Sequence, residues 1–237
     1  MILRSYALTD IGRVRPENED SFFCDEKLKI FGVADGIGGL PGGAQASRTA
    51  VYTMTDWFKH KVAPGPFDYS NALAETNEKV FVLGRVLSPR TGIGTTLTMA
   101  HFDNEQVVVI HVGDSFMFRL RVDVLDSLTQ EHNVENEMKA RAARGLPTYM
   151  MAENRAALTR CVGQPPPLEG DIHAHNIETG DRYLICSDGI TRYVMAPEMQ
   201  RLLQAAADPE SICRRLVEIA NKRGGVDNAT VVAVFAS

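Results

Sequence analysis

Three aspartates each stand at the end of an apolar, strand-like run of the sequence. Asp35 follows FGVA, Asp114 follows VVVIHVG and Asp188 follows YLICS. Glycine comes directly after two of them, at Gly36 and Gly189, where the missing Cβ lets the backbone turn sharply and approach a ligand closely. One such acid is typical of an ordinary turn, but three in one chain indicate a shared chemical reason.

Further acids in similar positions extend this set. Carboxylates gathered at strand ends are costly to bury and raise one another's pKa. A divalent cation removes both penalties, because hard ions such as Mg2+ and Mn2+ bind carboxylate and carbonyl oxygens. Two such ions about 3.5–4 Å apart can support an in-line displacement at phosphorus. The candidate metal-binding residues are Glu19, Asp20, Asp35, Gly36 (through its carbonyl oxygen), Asp114, Asp188 and Asp227.

Arg15 adds a cation to this acidic set. It precedes Glu19 by four residues, and its planar guanidinium matches the oxygens of a phosphate group. Arg15 is therefore a candidate for substrate binding and, with Asp35, for catalysis. Taken alone, Glu19 and Asp20 are typical of a solvated surface and Asp227 of a loop. The metal-site prediction rests on their occurrence together.

Hydrophobic periodicity predicts the elements that must position these side chains. Strands are predicted over 2–9, 22–24, 28–34, 95–102, 106–112 (paired with the preceding strand across Asn104), 116–121, 124–128, 172–175, 182–187 and 230–235. Helices are predicted over 44–61, 69–86 and 134–144, and two more begin at Pro197 and Pro209. Hairpin strands with grouped helices favour an α+β layered fold. With no linker-like stretch in the sequence, we expect one domain over 1–237.

Composition narrows the possible partners and location. The chain has 237 residues, a net charge of −5 and no long Lys/Arg run, which argues against a nucleic-acid partner. Its apolar runs are far shorter than the ~20 residues of a membrane span. The four cysteines form no CxxC pair, so neither a zinc site nor a redox pair is indicated. We expect a soluble, cytoplasmic protein with no membrane partner.

Eight motifs, in their order along the chain, resemble a known family. They are VRPENEDS, FGVADGIGG, GIGTT, HVGDS, LTQEHN, LTRCVG, CSDGI and DNATVV. Together they resemble the metal-dependent Ser/Thr protein phosphatases of type 2C, in their compact stand-alone bacterial form. The likeness spans about residues 5–235. It implies four layers, α-β-β-α, in which an antiparallel β-sandwich is flanked by helices on both sides.

The resemblance also implies an activity and its partners. The enzyme would hydrolyse phosphoserine and phosphothreonine in proteins, by in-line attack of a hydroxide bridging two Mn2+ or Mg2+ ions. It would oppose a Ser/Thr kinase in a bacterial signalling pathway, such as one controlling secretion or the cell envelope. We expect a monomer, as in stand-alone members of the family.

Each ion is assigned to residues only through this resemblance. The first ion would be held by Asp35, Asp188 and Asp227. The second would be held by Asp35, the Gly36 carbonyl and Glu19, partly through water.

Four further roles follow from the same resemblance. Asp20 lies close to the second ion in a supporting role, and a third, weaker ion maps to Asp114 and Asp188. Arg15 matches the phosphate-binding arginine. The segment of about 135–157 matches a variable flap beside the substrate groove.

One departure from the family pattern concerns proton delivery. Some members have DGHGG, whose histidine is proposed to protonate the leaving group, but Ile37 stands at that position here. His132, in LTQEHN, is expected to support the site rather than to react. Two alternatives remain open: a binding module without activity, and a phosphatase for small phosphate esters.

Overall fold

The computed structural model describes residues 1–39, 41–60, 67–103 and 105–237. The strands are β1 (Leu3–Asp10), β2 (Ser21–Asp25), β3 (Ile30–Ala34), β4 (Leu97–Asp103), β5 (Gln106–Val112), β6 (Phe116–Arg121), β7 (Val124–Ser127), β8 (Asp171–Asn176), β9 (Arg182–Cys186) and β10 (Ala229–Ala236). The helices are α1 (Gly43–His60), α2 (Tyr69–Leu87), α3 (Val134–Ala143), α4 (Asp188–Thr191), α5 (Ala196–Ala205) and α6 (Pro209–Lys222). One 3-10 turn covers Ala152–Asn154.

Two five-stranded antiparallel sheets pack face to face. Their strand orders are β1-β10-β9-β6-β7 and β2-β3-β4-β5-β8. Strand β10 is buried along its whole length, and Val232 lies opposite Ala7 on one side and Ile185 on the other. Between the sheets, Phe102 makes an edge-to-face contact with Tyr183, a favourable geometry for buried rings. This layer fixes one sheet against the other.

A helical layer covers each outer face of the sandwich. Helices α1 and α2 bury Met54 and Leu73 against the β2-β3-β4-β5-β8 sheet. Helices α5 and α6 bury Leu203 and Leu216 against the other sheet. Helix α6 begins at Pro209 after an Asp208 cap whose side chain accepts from the Ser211 N–H at 2.7 Å. The four-layer α-β-β-α sandwich expected from the sequence is confirmed.

Most predicted elements are found within one or two residues of their expected ends. The hairpin of β4 and β5 is present, but its Asn104 lies outside the described residues, as do Lys61 and most of the break after α1. Among the helices of the described residues, periodicity missed α4, whose four residues are too few to show a period. None of the helices in the described ranges is both long and apolar enough to cross a bilayer.

Candidate active site

Four of the predicted acids meet at one edge of the sandwich. Asp35 directly follows β3 and Asp114 lies in the turn after β5, so both belong to one sheet. Asp188 begins α4 just after β9, and Asp227 lies two residues before β10, so both belong to the other sheet. All four line a single cavity of about 470 Å3, together with Arg15. The structure therefore brings these predicted site residues together.

Glu19 and Asp20 are also at this edge, but neither is among the described residues that line the cavity. The backbone oxygen of Glu19 accepts a hydrogen bond from the Gly36 N–H at 3.2 Å. Asp20 is 8% exposed, and its Oδ2 accepts from the Ser187 hydroxyl at 2.9 Å. Its buried Oδ1 has no hydrogen-bond partner. A buried carboxylate oxygen without a partner is costly, and a nearby cation or ordered water would reduce that cost.

The carboxyl groups raise one another's pKa. Burial, followed by the charges of Asp20, Asp188 and Asp114, holds the pKa of Asp35 well above its usual range. Burial and the neighbouring Asp188 raise the pKa of Asp114 to about 7. Burial raises the pKa of Asp20 to about 6. Such mutual shifts mark a concentration of negative charge that a bound cation would relieve.

Backbone contacts fix Asp35 and leave no room for a side chain beside it. The Thr96 hydroxyl accepts from the Asp35 N–H at 3.0 Å, and the Thr95 hydroxyl donates to the Asp35 carbonyl at 2.8 Å. A Cβ on Gly36 would lie 2.5 Å from the Gly43 carbonyl oxygen and 2.7 Å from that of Glu19. Only glycine fits here. The two threonines thus position the carboxylate through its backbone.

Two arginines pair with the acids of the cavity. Nη2 of Arg15 lies 2.9 Å from Oδ2 of Asp227. Nη2 of Arg192 lies 2.6 Å from Oδ2 of Asp188, and its Nη1 lies 3.7 Å from Asp227. Sequence reasoning did not find Arg192. The sequence does contain a signal for Arg192: it follows Asp188 by four residues, a spacing that places both side chains on one helical face.

The donor set suits hard divalent ions, although it does not form a closed cage. In 1–39, 41–60, 67–103 and 105–237, no three His, Cys, Asp or Glu side chains converge on a common point as a ready ligand set. The acids that line the cavity are Asp35, Asp114, Asp188 and Asp227, with one thiol, Cys161, beside them. Asp20 adds an unpartnered buried oxygen at the same edge. Oxygen-rich sites of this kind fit Mg2+ or Mn2+ rather than a soft metal. In the structure, the guanidinium groups of Arg15 and Arg192 balance part of the negative charge that such ions would neutralise.

The predicted flap is attached at its base to the cavity rim. The Val134 N–H donates to the Ala157 carbonyl at 3.0 Å, and Arg155 pairs with Glu135 at 2.8 Å. Ala156 lines the cavity, whereas Tyr149, farther along the segment, is 79% exposed. The base of the flap thus forms part of the cavity wall.

His132 and Ile37 have different relations to the cavity. Nδ1 of His132 accepts from the Gly113 N–H at 3.2 Å, and its Nε2 lies 3.2 Å from Asp171. His132 therefore supports the turn that carries Asp114. Ile37 lines the cavity but has no ionisable group, so proton delivery to a leaving group must come from elsewhere.

Oxygen donors for divalent ions and a guanidinium group suited to phosphate, set at one edge of a β-sandwich, define a metal-dependent phosphoester hydrolase. The family model described as Protein phosphatase 2C matches residues 15–228. A serine/threonine phosphatase, stp, of Listeria innocua is 32% identical over 234 residues, which are 95% of this chain and 93% of that protein. The chain belongs to the protein phosphatase 2C family.

Solved structures of similar proteins agree with this assignment. PppA, described as a key regulatory component of the T6SS in Pseudomonas aeruginosa, superposes with a TM-score of 0.84 at 29% identity and covers 100% of this chain and 99% of its own. The catalytic domain of the serine/threonine protein phosphatase PstP, in complex with two manganese ions, gives a TM-score of 0.81 at 28% identity. It covers 98% of this chain and 97% of its own.

Proposed function

We propose that this protein phosphatase removes phosphate from phosphoserine and phosphothreonine residues of proteins, by in-line attack of water at phosphorus, with Mn2+ or Mg2+ bound among the acids of the cavity. One observation carries the proposal: acids from both sheets and Arg15 line a single cavity of about 470 Å3. The ions, when bound, supply an activated water and positive charge that offsets the charge of the phosphate.

The acids divide between two ion positions. We assign Asp35, Asp188 and Asp227 to the first ion. Asp35, the Gly36 carbonyl and Glu19 are assigned to the second. The close contacts around Gly36 support a backbone donor there, because a side chain at this position would push the carbonyl out of place.

Supporting roles fall to three further residues. The buried, unpartnered Oδ1 of Asp20 supports its assignment beside the second ion. A third, weaker ion is assigned to Asp114 and Asp188. Arg15 binds the substrate phosphate. Its guanidinium lies 2.9 Å from Asp227, so it stands at the acids that the ions would neutralise, and it is then free to bind the phosphate oxygens.

Metal dependence and the acidic site are tested together. The wild type, Asp188→Asn and a control, Asp103→Asn, are assayed for phosphate release from a phosphothreonine peptide with Mn2+, while Mn2+ binding is followed by calorimetry. Asp103 is exposed at the opposite end of β4, so its variant should behave as the wild type. Asp188→Asn should lose Mn2+ affinity and at least 100-fold in activity. Activity that survives both EDTA and Asp188→Ala would remove the proposed mechanism.

The wider setting is also a proposal. The substrates are phosphoproteins of a Ser/Thr kinase pathway in a bacterial cytoplasm, and the enzyme is a monomer. The four cysteines are all free thiols, which supports a reducing compartment. The description of the P. aeruginosa relative as a regulatory component supports a role in signalling. Light scattering of the purified protein tests the monomer, and a phosphoproteome with and without the protein tests the pathway.

A further inference from the structure

A second cavity adjoins the catalytic one and has a different chemical character. It has a volume of about 460 Å3, and its apolar lining includes Phe116, Phe118, Val194, Met195 and Ala196. We call it the apolar groove. Four residues line both the apolar groove and the catalytic cavity: Asp114, Ala156, Asp188 and Arg192. The two cavities are therefore neighbours that share a wall.

The apolar groove forms because α5 leaves part of the face of β6 uncovered. Phe116 and Phe118 lie two residues apart on β6 and so point to the same face of the sheet. Their rings stack at 5.6 Å with an angle of 7°. Helix α5 covers this face but begins only at Ala196. Phe118 is consequently 8% exposed, whereas Phe116, nearer to the catalytic edge, is only partly covered.

The rim of the groove exposes more apolar surface. Met195, the residue before α5, is 64% exposed. Methionine is flexible and polarisable, so it adapts to varied apolar partners. Glu131 also borders the groove, and with Asp114, Asp188 and Arg192 of the shared wall it places three acids and one arginine around the apolar floor. An exposed apolar floor rimmed by polar groups is typical of a binding surface.

The position of the groove identifies its occupant, and this step rests on the proposed function. When a phosphorylated residue lies in the catalytic cavity, the apolar groove is within reach of a substrate chain that leaves the cavity over the shared wall. Beyond Arg192, that chain meets the apolar groove. The charged residues lie in the wall and rim, whereas the floor of Phe116, Phe118 and Val194 offers a charged side chain no partner for the hydration it would lose. A large apolar side chain fits this floor better, because it removes both surfaces from water.

We propose that the apolar groove binds a large apolar side chain, such as that of leucine, methionine or phenylalanine, which flanks the phosphorylated residue of the protein substrate. The groove is then a specificity site. It discriminates among phosphoproteins by the residue beside the phosphate, while the chemistry at phosphorus stays the same.

A set of phosphothreonine peptides tests this proposal. Each peptide has an alanine background, and a single leucine is placed in turn at each of the four positions before and after the phosphothreonine. With Mn2+ present, leucine at one position should raise kcat/KM about tenfold over the all-alanine peptide, the gain expected for partial burial of such a side chain. Leucine at the remaining positions should have little effect.

Two variants locate the preference. Met195→Glu places a charge on the rim of the groove. It should lower the ratio of kcat/KM for the preferred leucine peptide to kcat/KM for the all-alanine peptide from about ten to about one. Val86→Glu is the matched control, because Val86 is 72% exposed on α2, which covers the other sheet. It should keep the tenfold preference.

The outcomes separate this inference from the proposed function. Equal kcat/KM for all leucine positions, or a preference that survives in Met195→Glu, overturns the apolar groove as a substrate site. Either result still leaves phosphate release from the alanine peptide as support for the proposed function. No release from any peptide in the presence of Mn2+ overturns both. Inhibition by excess unphosphorylated leucine peptide in the wild type but not in Met195→Glu further supports the groove.

Discussion

Removing divalent ions should make the stability of the protein fall as the pH rises. In the folded, metal-free chain, burial raises the pKa of Asp20 to about 6 and, with the nearby Asp188, that of Asp114 to about 7. In the unfolded chain both groups return to about 3.8. Between these values the folded state binds more protons than the unfolded state. The stability that these groups contribute is therefore fully present below pH 4 and is lost as the pH rises toward 7.

The size of the effect follows from the shift. One pKa unit corresponds to about 1.4 kcal/mol, so Asp20, raised from 3.8 to about 6, accounts for about 3 kcal/mol between pH 4 and pH 8. Asp114 adds to this loss of stability. Its contribution is smaller than its own pKa shift would give alone, because neighbouring acids that ionise together are coupled. A loss of about 3 kcal/mol is a large part of the 5–15 kcal/mol that stabilises a typical domain.

Urea unfolding at pH values from 4 to 8 measures this dependence directly. The wild type in EDTA should lose at least about 3 kcal/mol over this range, and the same protein with Mn2+ should lose much less. Asp20→Asn keeps an oxygen acceptor for the Ser187 hydroxyl but cannot ionise, so it should be more stable than the wild type at pH 8 in EDTA. Asp103→Asn should follow the wild type.

Two results would refute this reasoning. The first is a metal-free wild type whose free energy of unfolding is constant or rises between pH 4 and pH 8. The second is an Asp20→Asn variant that is no more stable than the wild type at pH 8. Either would mean that burial and the neighbouring acids do not oppose the ionisation of Asp20 and Asp114 in the folded chain.

Three further substitutions test other parts of the site. Arg15→Ala should lower kcat/KM for a phosphopeptide about 10–100-fold by removing hydrogen bonds to a charged group, and an unchanged kcat/KM would contradict its role at the phosphate. Arg192→Gln should tighten Mn2+ binding several-fold in calorimetry, because the guanidinium 2.6 Å from Asp188 competes with the ion; weaker binding would show that Arg192 helps to form the ion site. Gly36→Ala should lower the urea midpoint and Mn2+ affinity, since its Cβ would lie 2.5 Å from the Gly43 carbonyl oxygen, and a variant with wild-type values would refute the assigned close contact.

The sequence predicted site residues and their elements where a local hydrophobic pattern ends in a side chain that can do chemistry. Asp35 and Asp188 follow apolar strands and precede glycine, so both their element and their place at its end could be predicted. Antiparallel hairpins with grouped helices then favoured an α+β layered fold. The motifs and their order along the chain carried the resemblance to the family, and that resemblance implied the β-sandwich. These features depend on neighbours within a few residues, which is the range over which periodicity is readable.

Other features depend on contacts between distant parts of the chain. Arg192 is four residues from Asp188, but its Nη1 also lies 3.7 Å from Asp227, which belongs to another part of the chain. The burial of Asp20 depends on Ser187, which lies 167 residues away. The apolar groove depends on where α5 begins relative to Phe116 on another element. Tertiary packing decides each of these, and no local pattern encodes them.

The acids of the catalytic cavity are divided between the two sheets. Asp35 and Asp114 belong to one sheet, and Asp188 and Asp227 to the other. Any sliding of one sheet over the other would change every separation between an acid of one sheet and an acid of the other. The aromatic contact of Phe102 with Tyr183, between the two sheets, helps to hold them in place and so helps to fix the spacing of these acids. If the packing between the sheets loosened, the acids would move apart, and we expect cation affinity to fall before the chain unfolds.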